Sequence, residues 1–127
     1  MSPLFNTEGL RERGKFLARK RQYNAKVKRA LRSIRRDYAH LKPGLVADQF
    51  FGSPHVDPRY LTIVLFFRDD TALLQAETQG TLNVLRGAVV RALREECYPQ
   101  ESVAAVQINF ASRKSVKSAG GIWNYLH

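Results

Sequence analysis

The stretch "RYLTIVLFF" at residues 59–67 restricts the fold of this chain more than any other segment. It is almost continuously apolar and rich in β-branched and aromatic residues, which favour β-strands. A strand with one wet face alternates polar and apolar residues, whereas a strand covered on both faces is an unbroken apolar run. The segment therefore predicts a central strand with both faces buried.

A long amphipathic helix is predicted before that strand. When residues are placed at about 100° per step, a set of apolar side chains falls on one stripe of the helix. The stripe consists of Phe16, Tyr23, Val27, Leu31, Ile34, Tyr38 and Leu41. Lys20 interrupts the stripe and "KPG" at 42–44 stops a helix, so we predict the helix over 21–41. Residues 1–14 can be flexible in this interpretation.

Two further segments connect the helix and the central strand to the rest of the chain. Residues 44–58 have no clear period and contain "GSP" and "DP", which predicts a long surface loop carrying Phe50 and Phe51. Residues 71–96 have helical spacing, and Gly80 can divide them into two helices. Asp69 and Asp70 directly precede this region, and either can cap it by accepting free backbone N–H groups.

The C-terminal part alternates between extended and helical patterns. "VAAVQINF" at 103–110 alternates apolar and mixed positions and predicts a strand. Ser112 can cap a short helix that ends before the glycines at 120–121. "IWNYLH" at 122–127 predicts a terminal strand.

These elements together predict one α+β domain over residues 1–127. A long basic helix is followed by the order β-α-β-β, and the helices pack on a small three-stranded sheet that can be mixed in strand direction. The strand at 59–67 should lie between the strands at 103–110 and 122–127. The predicted core consists of Val27, Leu31, Ile34, Leu61, Ile63, Leu65, Leu85, Val89, Val106, Ile108 and Phe110.

The charge of the chain is concentrated in the predicted N-terminal helix. The chain has 127 residues and a net charge of +10, and residues 15–36 hold ten Lys or Arg and no acid. The rest of the chain has 11 basic and 11 acidic residues. Like charges one turn apart, such as Lys28 and Arg32, repel by a few tenths of a kcal/mol. A purely cationic face is therefore mildly unfavourable until an anion covers it.

We therefore predict that the cationic face binds an anionic macromolecule. The predicted contacts are Lys26, Lys28, Arg29, Arg32, Arg35 and Arg36. Nucleic acid, RNA or DNA, is the leading hypothesis because phosphates along a backbone can be met by several cations on one face. The alternative is an acidic protein partner, as in toxin-neutralising immunity or inhibitor proteins, with Phe50 and Phe51 as further contacts. A third interpretation is that the cationic face is only exposed to solvent and binds no partner.

The sequence favours a protein that is not an enzyme and that uses no cofactor. His40, His55 and His127 stand in no cluster with metal-ligand spacing, and no glycine-rich phosphate loop is present, so no metal site is predicted. Asp69 and Asp70 could form an acid–base or nuclease site with His55 and Glu77, but capping the following helix is the simpler interpretation.

Localisation is predicted from what the sequence lacks. The first residues contain no long apolar run typical of a secretory signal, and no window approaches the about 18 apolar residues of a membrane span. The single cysteine, Cys97, excludes an internal disulfide. We expect a soluble cytoplasmic protein without a membrane partner, and a homodimer through the apolar helix stripe stays open.

Overall fold

The computed structural model describes residues 7–52 and 60–122, and side chains within 22–52 and 60–122. Five helices and three strands lie in these described residues. In chain order they are α1 (Thr7–Asp37), β1 (Ala47–Gly52), β2 (Leu61–Phe67), α2 (Asp70–Thr78), α3 (Thr81–Glu95), α4 (Gln100–Ala105), β3 (Gln107–Ser112) and α5 (Arg113–Ser118).

The three strands form one mixed sheet in the order β1-β2-β3. β1 pairs antiparallel with β2, with Phe50 opposite Ile63, and β3 pairs parallel with β2, with Phe110 opposite Leu65. β2 is therefore central, and its residues are buried except for half-buried Thr62. The α+β class, the three-stranded mixed sheet and the central strand are confirmed.

The order of the elements differs from the predicted β-α-β-β. Residues 47–52 form strand β1 within the segment 44–58 that was expected to be a loop, and β1 occupies the sheet position expected for residues 122–127. Phe50 and Phe51 thus lie on a strand. Residues 100–105 are helical, so the strand expected at 103–110 begins only at Gln107. Ile122 has helical backbone, and the remainder of the predicted terminal strand lies outside the described residues.

Two apolar layers cover the two faces of the sheet. On one face α1 and α3 pack over alternate residues of β2, and Val27, Leu31 and Ile34 of α1 are at most 3% exposed. On the other face Val64 and Phe66 pack with Val116 of α5. The predicted core is confirmed in full for its members on α1, β2 and α3. Its members Val106, Ile108 and Phe110 are half-buried against the same core.

The helix boundaries follow from capping and from left-handed backbone. Asp69 is the N-cap of α2, because its carboxylate accepts the Ala72 N–H at 2.8 Å, and Ser112 caps α5 in the same way. Gly80 has φ +78° and divides α2 from α3, as predicted. A side chain at such a φ would be strained, so glycine suits this break.

Helix α1 is longer than the predicted segment 21–41 at its start and shorter at its end. It begins at Thr7 and ends at Asp37, and a turn over residues 38–40 follows.

The Tyr38 hydroxyl lies 3.5 Å from Arg91, near the middle of α3, whereas Arg29 contacts Glu96 at the end of α3. α1 and α3 are therefore antiparallel.

Candidate basic interface on helix α1

The core stripe of α1 determines which of its side chains face outward. Val27, Ala30, Leu31 and Ile34 are buried, so the residues between them point away from the core. Among the predicted contact residues, Lys26 is half-buried and the others are exposed, namely Lys28, Arg29, Arg32, Arg35 and Arg36. The structure thus brings the predicted set together on the outer side of one helix.

Two of these cations are engaged by the end of helix α3. The Arg29 guanidinium donates to the Glu96 carboxylate at 2.8 Å, and Lys26 Nζ donates to the Cys97 carbonyl at 3.1 Å. The Arg29 side chain is 50% exposed and that of Glu96 is 29% exposed, so this ion pair contributes about 0.2–1 kcal/mol. Their positive charge is therefore partly compensated within the chain.

The C-terminal cations of the face also have acidic partners. Arg35 lies 3.3 Å from the Asp48 carboxylate on β1, and Arg36 donates to its neighbour Asp37 at 3.0 Å. The hydrogen bond to Asp37 and its charge raise the pKa of Arg36 above the ordinary value. Arg36 and Asp37 remain largely exposed, so solvent screens this pair strongly. An incoming anion can compete for Arg36 more easily than for a buried group.

Lys28 and Arg32 differ from the other members of the face. Within the described part of the chain, neither side chain has an ion pair or a hydrogen bond to another residue. They stand one helical turn apart and line a shallow groove between α1 and β1. We call this the α1 groove, and its lining consists of Lys28, Leu31, Arg32, Arg35, Asp48 and Phe50.

The two phenylalanines of β1 lie on opposite faces of the sheet. Phe50 packs on the core beneath α1 and contributes to the α1 groove, whereas Phe51 packs with Val64 and Phe66 on the other face. Successive strand residues point to opposite faces, so the two rings lie on different faces of the sheet. Phe50 is the ring beside Lys28 and Arg32.

The tyrosines of the apolar stripe belong to the core. Tyr23 packs edge-on against Tyr98 with ring centroids 5.7 Å apart. Burial and the neighbouring Tyr23 raise the pKa of Tyr98 to about 12. Tyr38 is half-buried against the same core, as expected for the inner stripe of the helix.

Asp69 and Asp70 hold neighbouring backbone and side-chain groups. The Asp69 carboxylate accepts the Ala72 N–H and also pairs with Arg68 at 3.3 Å, and the Ala72 hydrogen bond is the main cause of its lowered pKa. Asp70 accepts the Ser115 hydroxyl at 2.6 Å, which lowers the pKa of that carboxyl. The predicted cap is thus Asp69, while Asp70 ties α2 to α5. Of the partners considered for a catalytic site, Glu77 is exposed on α2 and His55 lies outside the described residues.

The described residues contain neither a metal-binding cluster nor a membrane-spanning helix. Across 7–52 and 60–122, no group of three or more His, Cys, Asp or Glu side chains is arranged to hold a metal ion. In the same ranges no helix is long and apolar enough to cross a membrane.

The sequence interpretation missed the residues that compensate the cationic face. Asp48 is 13 positions from Arg35, and Glu96 is 67 positions from Arg29. Neither falls at the three- or four-residue spacing by which helical ion pairs are found in a sequence. Asp48 could have been placed near Arg35 only if residues 47–52 had been predicted as a strand. That segment was expected to be a loop.

No protein-family model, curated protein or solved structure matches this chain. The function of the chain is therefore inferred from its residues and their arrangement.

Proposed function

We propose that this protein binds the phosphate backbone of nucleic acid through the α1 groove and the cations beside it. The observation that carries the proposal is the pair Lys28 and Arg32, which are exposed and have no acidic partner among the described residues. Lys26, Arg29, Arg35 and Arg36 already have carboxylate or carbonyl partners. Within residues 22–37 of α1, the uncompensated positive charge is therefore concentrated at Lys28 and Arg32.

The chemistry of the pair suits phosphate. Arg32 can donate two parallel hydrogen bonds to one phosphate group, whereas Lys28 provides a compact charge for a neighbouring one. Arg35 and Arg36 extend the cationic surface along the helix, and the exposed Arg35 can exchange its half-buried partner Asp48 for a phosphate. These contacts read no base, so binding should depend little on sequence.

Phe50 adds an apolar surface to the lining of the α1 groove. A base of a single strand can stack on an aromatic ring while the backbone contacts nearby cations. Duplex bases are already stacked on each other and cannot use Phe50 in this way. The proposal therefore favours single-stranded nucleic acid over duplex.

The test is the salt dependence of binding to a single-stranded oligonucleotide of mixed sequence. Lys28→Gln/Arg32→Gln should weaken binding and reduce the slope of log K against log salt by about 1.4, since each lost contact to a single strand removes about 0.7. Arg91→Gln/Arg94→Gln on α3 removes the same amount of charge and serves as the control. It should change the slope much less.

Two outcomes would count against the proposal. Equal slopes for both double variants would mean that net charge alone governs binding. A pull-down from nuclease-treated and untreated host lysate distinguishes nucleic acid from the remaining alternative, an acidic protein partner. Recovery of one stoichiometric protein that survives nuclease and depends on Lys28 and Arg32 would favour an acidic protein partner instead.

A further inference from the structure

A second group of cations lies at the end of the sheet where β2 and β3 finish. Arg68 follows β2, and three basic residues of α5 stand beside it around Asp69. We call this the α5 cluster, and it consists of Arg68, Arg113, Lys114 and Lys117. All four residues are exposed. The cluster lies outside the basic segment 15–36.

Backbone and side-chain hydrogen bonds hold the α5 cluster in place. The Lys114 N–H donates to the Arg68 carbonyl at 3.2 Å, which fixes the start of α5 against the end of β2. The Ser115 hydroxyl bonds Asp70, and the Ser112 hydroxyl caps α5 by accepting the Ser115 N–H. Val116 anchors the other side of α5 in the core. The four cations are thus presented from a fixed backbone.

The charges of the α5 cluster are only partly compensated. Asp69 pairs with Arg68 and also caps α2, and Asp70 is hydrogen-bonded by Ser115. Within the described residues, the side chains of Arg113 and Lys117 have no acidic partner. The sequence contains no acidic residue after Glu101. Among the described residues, positive charge therefore exceeds negative charge at this end of the sheet.

The α5 cluster and the α1 groove are carried by layers on opposite faces of the sheet. Val27 and Leu31 of α1 pack on the face that includes Ile63, while Val116 of α5 packs on the face that includes Val64. Successive residues of a strand point to opposite faces, so the sheet separates the two layers. A short oligonucleotide bound in the α1 groove would leave the α5 cluster accessible.

We propose that the α5 cluster is a second phosphate-binding site for the nucleic-acid backbone, so that one molecule holds two nucleic-acid segments. This inference rests on the proposed function of the α1 groove. Arg113 and Lys117 supply the uncompensated charge, and Arg68 and Lys114 strengthen the local field. The cluster presents positive charge but has no element that could enter a groove of the duplex and contact base edges. It should therefore bind backbone phosphates whatever the base sequence.

The test counts bound oligonucleotides by native mass spectrometry at low ionic strength. The probe is an oligothymidylate of about eight nucleotides, within the site sizes of small single-strand-binding domains. Wild type should bind two copies. Arg113→Gln/Lys117→Gln and Lys28→Gln/Arg32→Gln should each bind one, and combining the four substitutions should abolish binding. The charge-conserving variant Arg113→Lys/Lys117→Arg should still bind two copies.

The failures of the two proposals are distinguishable. If Arg113→Gln/Lys117→Gln binds as many copies as wild type, the α5 cluster is not a site. If Lys28→Gln/Arg32→Gln binds as many copies as wild type, the α1 groove is not a site. If it instead binds none while the α5 variant keeps one copy, only the α1 groove is a site. Wild type that binds no oligonucleotide overturns both.

Discussion

At the scale of single residues, Cys97 ends helix α3 in a conformation that glycine adopts more easily. Its φ is +58°, in the left-handed region, and the residue is exposed. The Cys97 N–H donates to the Arg94 carbonyl and the Tyr98 N–H donates to the Leu93 carbonyl. This pair of hydrogen bonds is the Schellman arrangement, in which glycine is the usual residue.

Cys97→Gly should therefore stabilise the protein. Removing the side chain relieves roughly 1–2 kcal/mol of left-handed strain, and the greater freedom of glycine in the unfolded chain costs about 0.4–1 kcal/mol. We expect a net gain of up to about 1.6 kcal/mol in the free energy of unfolding, measured by urea denaturation. Cys97→Ala keeps the strain and is the control. A loss of stability in Cys97→Gly would show that the thiol itself contributes.

At the scale of elements, the junction between β2 and α2 depends on Asp69. Its carboxylate caps α2 through the Ala72 N–H, and its lowered pKa means that the native state favours the ionised form. Asp69→Ala should lower the Tm by a few degrees near neutral pH, because a helix N–H loses its acceptor. Asp69→Asn should lower it less, because asparagine is also a good cap.

The same carboxylate predicts a pH dependence. Since the pKa of Asp69 is lower in the folded protein than its ordinary value of 3.8, its contribution is complete well above that value and is lost as the pH falls through the folded pKa. The Tm difference between wild type and Asp69→Asn should therefore shrink below about pH 4. A Tm difference that stays constant down to pH 2 would show that the ionised Asp69 carboxylate is not its cause.

Some elements could be predicted from the sequence because their signals are local. The apolar run of β2, the stripe of α1 and the break at Gly80 each depend on residues within one segment. β1 could not be found in this way, because "ADQFFG" at 47–52 has no clear alternation and is held by pairing with β2. Residues 103–105 continue the alternation of the strand that follows, yet they complete helix α4, which starts after Pro99.

The candidate site was predictable to a similar degree. The outward position of Lys28 and Arg32 follows from the helical period, and the structure agrees. The partners of Arg29 and Arg35 come from α3 and β1, so only tertiary packing reveals them. The α5 cluster was missed because Arg68 lies far from Arg113 in the sequence, and the parallel pairing of β2 and β3 brings them together.

At the scale of the whole molecule, the net charge of +10 opposes folding in the absence of a ligand. Like charges repel more strongly in the compact state than in the expanded chain, and salt screens this repulsion over a Debye length of about 10 Å at 0.1 M. Four exposed or partly exposed ion pairs in the described residues oppose this trend, but pairs of this kind contribute little. Repulsion should therefore be the larger effect.

We expect the Tm of the free protein to rise by a few degrees when sodium chloride is raised from low to moderate concentration. Lys28→Gln/Arg32→Gln should show a smaller rise, because two mutually repelling charges are gone. With oligonucleotide in excess the dependence should reverse: bound ligand stabilises the folded state by mass action, and salt weakens that binding. Differential scanning calorimetry with and without the oligonucleotide measures how the Tm depends on salt in each case. A free protein whose Tm falls with salt would mean that its internal ion pairs outweigh the repulsion, and that the cationic face needs no anion to be stable.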